Sequence, residues 1–333
     1  MSIPLQTGGD KTDRFELLVV ANPVWEVSWL VRGLPIDRFD AGTSTRRIED
    51  GGGSALNTAC ALASAGWRVV AVGRVGDDRE GRESVAALER RGIAARIEVI
   101  AGRTTKRNMV FVDERSGATA FQAIVPKRGV ERWEEDPAEL GEATWLFLDR
   151  LPSRAVGWLR QRRRDGLHNA LTRHVHWGPG QVADRFVEAL PFLEFLQLPE
   201  GDCPSPASAT GREIPNDRSR IHNPTAPPPL GDEEVAAILG AGVGVFIRTR
   251  GARGVVVQSP GAEAIRLPAR PTRLIDPTGA GDAFSAGFLD GLLSGKPTRE
   301  AAERGLDWAA RACRHLGARG WLDHEAPRRC AEL

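Results

Sequence analysis

Several features that often define a protein class are missing from this sequence of 333 residues. The four cysteines, Cys60, Cys203, Cys313 and Cys330, lie far apart and include no C-x-x-C pair. The sequence therefore predicts neither a structural zinc site nor a disulfide framework. No apolar run of about 18 residues occurs, so no helix that crosses a bilayer is expected.

A charge of one sign is missing too. Lys and Arg together number 45 and Asp and Glu 44, which gives a formal net charge of +1. Proteins that bind nucleic acid usually carry a basic field, so we expect neither nucleic acid nor a membrane among the partners. The amino-terminal residues lack the basic-then-apolar order of a signal peptide, and we therefore expect a cytoplasmic protein.

Short apolar runs alternate along the chain with stretches of helical spacing. The runs are residues 15–22, 68–75, 145–149, 192–198, 243–249 and 254–258. This alternation predicts an α/β domain over residues 15–325, with a mostly parallel sheet covered by helices, after a flexible terminus at 1–14. Residues 27–50 and 103–125 have the half-polar pattern of exposed strands and predict a small flap.

Residues 201–231 interrupt this rhythm with seven prolines, at positions 204, 206, 215, 224, 227, 228 and 229. Proline removes a backbone donor and stops helices, so no regular element is expected here. A loop of this length inside a compact domain indicates an inserted segment or a mobile cover over a site.

The segment from Asp276 to Asp282, DPTGAGD, lies between an apolar entry and an apolar helical pattern. It predicts a strand, a turn of small residues and a helix. Glycines 279 and 281 allow backbone N–H groups to converge at the helix start, where the helix dipole favours a phosphate. A carboxylate in the same turn suits a base that takes a proton from an attacking hydroxyl, as in phosphoryl transfer to an alcohol. The structural alternative is that Asp282 only caps the helix.

A second glycine-rich segment begins with Gly52 and Gly53 and leads through Asn57 into a helix. The glycines permit close approach of the backbone to a ligand. Asn57 offers both a donor and an acceptor to the hydroxyls of a polyol. A helix start that carries a polar surface Asn is the alternative interpretation.

Taken together, these segments resemble the two signatures of the ribokinase-like carbohydrate kinases, the PfkB family. The stretch from Gly52 to Gly76 resembles the amino-terminal signature, and DPTGAGD followed by Ala286-Gly287 resembles the carboxy-terminal one. Residues 249–255 resemble the strand-turn-strand beside the nucleotide. The resemblance covers residues 15–320 and implies a ribokinase-like α/β fold with a doubly wound sheet and a small β-lid.

The resemblance also implies an activity: an ATP-dependent kinase that phosphorylates a hydroxyl of a sugar, nucleoside or phosphosugar. Mg²⁺ is the implied cofactor, and a monovalent cation is an optional second one. Asp282 would be the general base, and the amides of Gly279, Ala280 and Gly281 would form an anion hole. The implied nucleotide-binding residues are Thr249, Gly251, Gly254 and Thr278. The implied acceptor-binding residues are Asn22, Glu26, Gly52, Gly53, Asn57, Lys106 and Arg107. Lids of this family often pair between subunits, which makes a homodimer a further expectation.

Two places depart from the family pattern. Glu26 stands where the family usually carries Asp, and Ala21 or Asn22 stands near a usual Gly, so the carboxylate is kept but its reach changes. The family's N-x-x-E motif survives only as Gln197-Leu-Pro-Glu200. In one register Glu200 is the metal ligand; in another Glu200 takes the Asn position and Cys203 the Glu position.

Other patterns carry less weight. No P-loop sequence occurs, and no G-x-G-x-x-G follows a strand. Ser285 lies in a near match to a nucleophile elbow, but it would fall inside a helix. His174 and His176 lack a third nearby metal ligand. Lys106 and Arg107 are either solvated charges of the flap or partners of an anionic group on the acceptor.

Two hypotheses from different classes remain. The first is a sugar-like kinase with Asp282 as base. The second is a catalytically silent ligand-binding or regulatory protein on the same scaffold, which the altered Glu26 and the eroded N-x-x-E motif favour. Release of ADP from ATP in the presence of a panel of acceptors separates the two.

Overall fold

The chain forms two β-sheets, described from a computed structural model over residues 14–34, 44–124, 126–172, 181–199 and 232–327. The strands of the larger sheet are β1 (Phe15–Val20), β4 (Val69–Gly76), β5 (Ala94–Ile100), β8 (Ala143–Leu148), β9 (His168–Thr172), β10 (Phe195–Pro199), β11 (Val245–Thr249), β12 (Val255–Gln258) and β13 (Ile265–Leu267). Their spatial order is β13-β12-β11-β10-β9-β8-β1-β4-β5. All neighbours pair in parallel except β11 with β12 and β12 with β13.

The larger sheet is buried on both faces, which explains its continuous apolar runs. In β1, Leu17 and Val19 belong to one hydrophobic cluster, and Leu18 and Val20 belong to another on the opposite face. Alternate side chains of a strand point to opposite faces, so the sheet is the middle layer of three.

Helices form the two outer layers. They are α1 (Ser54–Ser64), α2 (Arg79–Arg90), α3 (Ala155–Arg164), α4 (Gln181–Ala189), α5 (Asp232–Gly240), α6 (Ala280–Leu293) and α7 (Thr298–Ala312). Helices α6 and α7 pack closely because α6 carries glycine at the contact: a Cβ on Gly291 would lie 2.6 Å from the Cα of Ala301. None of the helices in the described ranges is long and apolar enough to span a bilayer.

The smaller sheet, called the lid sheet below, has four strands in the order β3-β2-β6-β7. They are β2 (Val24–Val31), β3 (Ser44–Gly52), β6 (Lys106–Asp113) and β7 (Thr119–Ile124). Val110 and Val112 of β6 pack on Leu316, with Leu30 and Ile48 at the edge of this cluster. One face of the lid sheet therefore rests on the chain segment that follows α7.

The predicted α/β fold with its small flap is confirmed, with adjusted strand limits. Strand β10 starts at Phe195 because residues 190–192 form a 3₁₀ turn. The sequence patterns did not single out β5, β9 or β13. The predicted flexible terminus, the proline-rich segment 201–231 and the pair His174 and His176 lie wholly or almost wholly outside the described residues, and the predicted domain limits stay predictions.

Strand β1 lies where the winding of the large sheet reverses. It pairs with β4 on one side and with β8 on the other. In sheets of this kind, ligands bind beyond the carboxyl ends of the strands at this switch point. The Asp149 carboxylate follows β8 there and accepts the backbone N–H of Ala55, at the start of α1, at 3.1 Å. The start of α1 therefore lies at the end of the sheet where a ligand is expected to bind.

Candidate active site

The DPTGAGD turn is held in place by its own first residue. The Asp276 carboxylate is fully buried and accepts the backbone N–H of Thr278 at 2.8 Å and that of Gly317 at 2.7 Å. Gly279 has a left-handed φ of 77°, and a Cβ there would lie 2.7 Å from the Cα of Ala318. Only glycine satisfies both demands, so the turn and the segment from Gly317 fix each other.

Asp282 lies in the first turn of α6, with its carboxylate facing the start of α1. Its side chain is 5% exposed. The Ser54 hydroxyl donates to Oδ1 at 2.5 Å and the Asn57 amide donates from Nδ2 to Oδ2 at 2.8 Å. The two glycine-led helix starts that the sequence singled out therefore meet at one carboxylate.

Arg319 completes this cluster from the segment after α7. Its Nε donates to Asn57 Oδ1 at 2.8 Å, and its Nη2 donates to the Gly52 carbonyl at 3.4 Å. Because Asn57 Oδ1 accepts from the guanidinium, the NH₂ end of the amide faces Asp282. Arg319 thereby orients the amide that contacts Asp282.

Glu26 is the second buried carboxylate of the site and comes from β2 of the lid sheet. Burial raises its pKa to about 7, with Asp276 and Asp282 adding to the rise, while Arg319 and a hydrogen bond from Asn108 oppose it. Near neutral pH this carboxyl group is poised between its neutral and ionised forms. Such a group can accept hydrogen bonds from hydroxyls of a ligand when it is ionised.

The three predicted anion-hole amides differ in the structure. The N–H of Ala280 donates to the Pro277 carbonyl at 3.1 Å. Within the described residues, the amides of Gly279 and Gly281 have no internal acceptor. These two N–H groups at the start of α6 fit the terminal phosphate of a nucleotide, because the helix dipole adds partial positive charge there.

The predicted nucleotide-binding residues lie on strands next to the start of α6 and in the turns beside them. Gln197 of β10 donates to the Gly281 carbonyl at 3.2 Å and accepts from the Ser285 hydroxyl at 2.7 Å, inside α6. The neighbouring strand β11 ends at Thr249. Gly254, at the following turn, has a φ of 83°, and a Cβ there would lie 2.0 Å from the Leu267 carbonyl. Nucleotide binding stays a prediction for four residues, Thr249, Gly251, Gly254 and Thr278.

Some predicted acceptor-binding residues are engaged elsewhere. Asn22 donates to the Glu131 carbonyl at 2.7 Å and accepts the Arg74 amide at 3.2 Å, which ties the end of β1 to its surroundings. Arg107 pairs with Glu80 at 3.1 Å, and strand alternation places it on the lid-sheet face opposite Asn108.

Lys106 is exposed on the same face as Asn108. Glu200, the predicted metal ligand, lies outside the described residues. Among those that are described, no group of three or more His, Cys, Asp or Glu side chains could hold a metal ion.

The sequence patterns missed Arg319 and Ser54. Arg319 lies in GARG, and no spacing rule links this segment to the two glycine-rich signatures. Ser54 lies inside the first signature, between Gly53 and Asn57, where a serine at a helix start is typical of a capping residue. Only the meeting of α1, α6 and the segment after α7 gives both residues a place in the site.

These observations define a class: a doubly wound α/β protein with a lid sheet, a helix start with two unpaired backbone amides among the described residues, and an acid beside it. The sequence model of the pfkB family carbohydrate kinases matches residues 44–156 and 229–324. The chain belongs to this family, whose members are ATP-dependent kinases of sugar-like alcohols.

Individual relatives agree with that assignment. The chain is 27% identical over 278 residues to the cytidine kinase of Thermococcus kodakarensis, covering 82% of this chain and 91% of the relative. It is 26% identical over 288 residues to the fructokinase of Klebsiella pneumoniae, covering 82% and 87%. The Arabidopsis thaliana ribokinase complexed with ribose and ATP has the same fold, with a TM-score of 0.67 at 19% identity over 95% and 96% of the two chains.

Proposed function

We propose that the protein transfers the terminal phosphoryl group of ATP to a hydroxyl of a small sugar-like acceptor, with Asp282 as the general base. The observation that carries this proposal is the placement of Asp282. Its carboxylate is buried at the start of α6, one residue after the Gly281 amide, and is oriented by Ser54 and Asn57. A carboxylate beside an anion-binding helix start combines the two groups that phosphoryl transfer to an alcohol needs.

In this proposal the acceptor hydroxyl approaches Asp282 and donates its hydrogen bond to the carboxylate. Asp282 takes the proton as the oxygen attacks the terminal phosphorus, and the bond from that phosphorus to ADP breaks. The amides of Gly279 and Gly281 offset the charge on the transferring group. Glu26 and Asn57 hold neighbouring hydroxyls of the acceptor, because the Glu26 carboxylate accepts hydrogen bonds and the Asn57 amide both donates and accepts them.

Mg²⁺ belongs to the proposal as the usual companion of ATP, and when bound it would offset the negative charge of the nucleotide phosphates. A magnesium site of this kind commonly uses one or two carboxylates together with substrate phosphates and water. Glu200 is the residue proposed for it.

The test is the variant Asp282→Asn, which keeps the shape of the side chain and removes the base. Turnover should fall by about 10² to 10⁴, while the melting temperature and circular dichroism stay close to those of the parent. ADP release from ATP is measured over a panel of sugars, nucleosides and sugar phosphates. Asp307→Asn, which alters an exposed acid on α7 that pairs with Arg270, is the matched control.

Two results would contradict the proposal. Unchanged turnover in Asp282→Asn would remove the base from the mechanism. Acceptor-dependent thermal stabilisation of the parent protein with no ADP formed across the whole panel would instead support a ligand-binding protein without catalysis.

A further inference from the structure

A cavity of about 210 Å³ lies between the lid sheet and the segment after α7. Its inner wall is shared with the proposed active site. The residues that line this wall include Glu26, Ser28, Gly51, Leu316, Gly317 and Arg319. The part of an acceptor that is remote from Asp282 would extend into this space.

Arg319 is only 2% exposed, and it is incompletely hydrogen-bonded. Its Nε and Nη2 have the partners described above, whereas Nη1 has none within the described residues. Buried polar nitrogens in native proteins nearly always have a partner, so this nitrogen beside a cavity can still donate to a water or a ligand atom.

Gly51 lies directly against this nitrogen. A Cβ on Gly51 would lie 2.8 Å from Arg319 Nη1, and no other atom would come closer than 3.6 Å. The absence of a side chain at this position leaves the guanidinium its space against the strand. Both residues line the cavity, whereas Nη1 itself is buried behind the cavity surface, so a ligand reaches this nitrogen only with a shift of the guanidinium.

The surroundings also contain an orphaned acceptor. Asn108 donates its amide to Glu26 and is 7% exposed, and its Oδ1 has no partner in the described part of the chain. The site thus offers one N–H donor from Arg319 and acceptor atoms from Asn108 and Glu26. A hydroxyl, which both donates and accepts, matches this combination.

The charge around these atoms disfavours an anion. Among the charged groups that act most strongly on Glu26 within the described residues, Arg319 is opposed by the two acids Asp276 and Asp282. The outer rim carries both signs, since Arg46, Glu49, Asp50 and Asp323 all line it. A phosphate or carboxylate placed beside Glu26 and Asp282 would meet like charges in a poorly solvated site, which costs more than one shared cation returns.

Resting on the proposed kinase function, we propose that Arg319 is a specificity-determining residue of the acceptor site. Its Nη1 donates to an uncharged hydroxyl or carbonyl oxygen of the acceptor while Glu26 accepts from a hydroxyl nearby. The acceptor is therefore a neutral polyhydroxyl compound rather than a sugar phosphate or a sugar acid.

The first measurement is turnover of the parent protein with neutral acceptors (ribose, fructose, cytidine, adenosine) and with anionic ones (fructose 6-phosphate, gluconate). ATP-dependent ADP release should occur with at least one neutral compound and be higher than with either anion. A preference for an anionic acceptor would overturn the proposal.

The second measurement compares Arg319→Gln with Arg46→Gln, which removes an exposed arginine from the rim of the same cavity. Loss of a hydrogen bond from a charged donor should raise the acceptor KM by about 10-fold to 100-fold in Arg319→Gln and leave KM for ATP nearly unchanged. Arg46→Gln should remain within about twofold of the parent. An unchanged acceptor KM in Arg319→Gln would refute the role of Nη1.

Gly51→Ala gives a second variant that keeps Arg319 and its charge. The new methyl group displaces Nη1, and the φ of Gly51 is not in the left-handed region, so the chain should still fold. We expect the acceptor KM to rise here as well. If Gly51→Ala folds and binds the acceptor as tightly as the parent, the proposal is wrong.

Thermal stabilisation by the acceptor without ATP separates this inference from the kinase proposal. Absence of ADP with every acceptor counts against the kinase activity. In that event, stabilisation by a neutral acceptor that Arg319→Gln abolishes still supports the Arg319 contact, and stabilisation that persists in the variant contradicts it.

Discussion

Two buried arginines on opposite edges of the large sheet show how a structural network differs from a binding site. Arg162, on α3, lies at the amino end of β8 and β9 and donates to the carbonyls of Ala143 and His168 at 3.0 and 3.1 Å. Its Nε donates to Asn169 Oδ1 at 3.1 Å and its Nη1 donates to the Leu140 carbonyl. Every nitrogen of this guanidinium is used.

Arg319, at the carboxyl edge, is as deeply buried but has one nitrogen without a partner among the described residues. A fully satisfied polar network makes the core more rigid and specific, whereas an incomplete one is tolerated where a ligand completes it. Burial raises the cost of both charges, and in Arg162 it lowers the pKa to about 10. Completeness of the hydrogen bonding, not burial, distinguishes the two sites.

The largest expected effect on stability tests the structural half of this comparison. Arg162→Met removes the donors of several buried carbonyls and should lower the free energy of unfolding by about 3 kcal/mol or more. Chemical denaturation measures this loss. Arg164→Met, at an exposed position at the end of the same helix, should change stability by less than about 0.5 kcal/mol.

The comparison also requires that the folded fraction of Arg162→Met keep the parent's acceptor KM. A large rise in KM with little loss of stability would mean that the amino edge takes part in binding, and the distinction between the two networks would fail.

The next effect concerns pH at the acceptor edge. The folded-state pKa of Glu26 is about 7 against 4.5 for an unperturbed carboxyl, so the folded protein binds the proton more tightly than the unfolded chain. Stability from this group is therefore present below about pH 4.5 and is lost as pH rises through about 7. The shift corresponds to about 3 kcal/mol.

Glu26→Gln should remove that loss, so its stability relative to the parent should increase by up to about 3 kcal/mol between pH 5 and pH 8. Denaturation at the two pH values measures the difference. Glu114→Gln, which alters an exposed acid in the turn after β6, should not show a change of this size. A constant difference between Glu26→Gln and parent would mean that Glu26 is not held in the environment described here.

The smallest effect concerns the orientation of the proposed base. Ser54→Ala removes one hydrogen bond to Asp282 and leaves the bond from Asn57, so kcat should fall about tenfold, equivalent to about 1.4 kcal/mol. Ser64→Ala, at the last residue of α1, is the control. A kcat equal to that of the parent would mean that the Ser54 hydroxyl does not orient the proposed base.

Most of the fold could be predicted because its signals are local. The buried strands are continuous apolar runs. The turn at position 279 needs a residue with a left-handed φ, and the sequence has glycine there. Strands β5 and β13 were not predicted, because the residues of β5 are mixed in polarity and β13 has only three residues. Their place in the sheet comes from neighbours along its edge, which the pattern of a single strand does not contain.

The site was predictable in part for the same reason. Asp282 and Asn57 lie in glycine-rich motifs that can be recognised in the sequence. Arg319 is 262 positions from Asn57, and the two become neighbours only in the fold. The side chains of Asn22 and Arg107 contact protein groups in the structure, and their role in acceptor binding stays a prediction.

The sequence by itself determined the layered α/β domain, the two helix starts and the acid beside the second of them, because each depends on residues within one or two turns of chain. The tertiary structure decided which charges share the buried space between the lid sheet and the large sheet. Electrostatic energy depends on distance and on exclusion of water, and both are set when strands from remote parts of the chain meet at one edge.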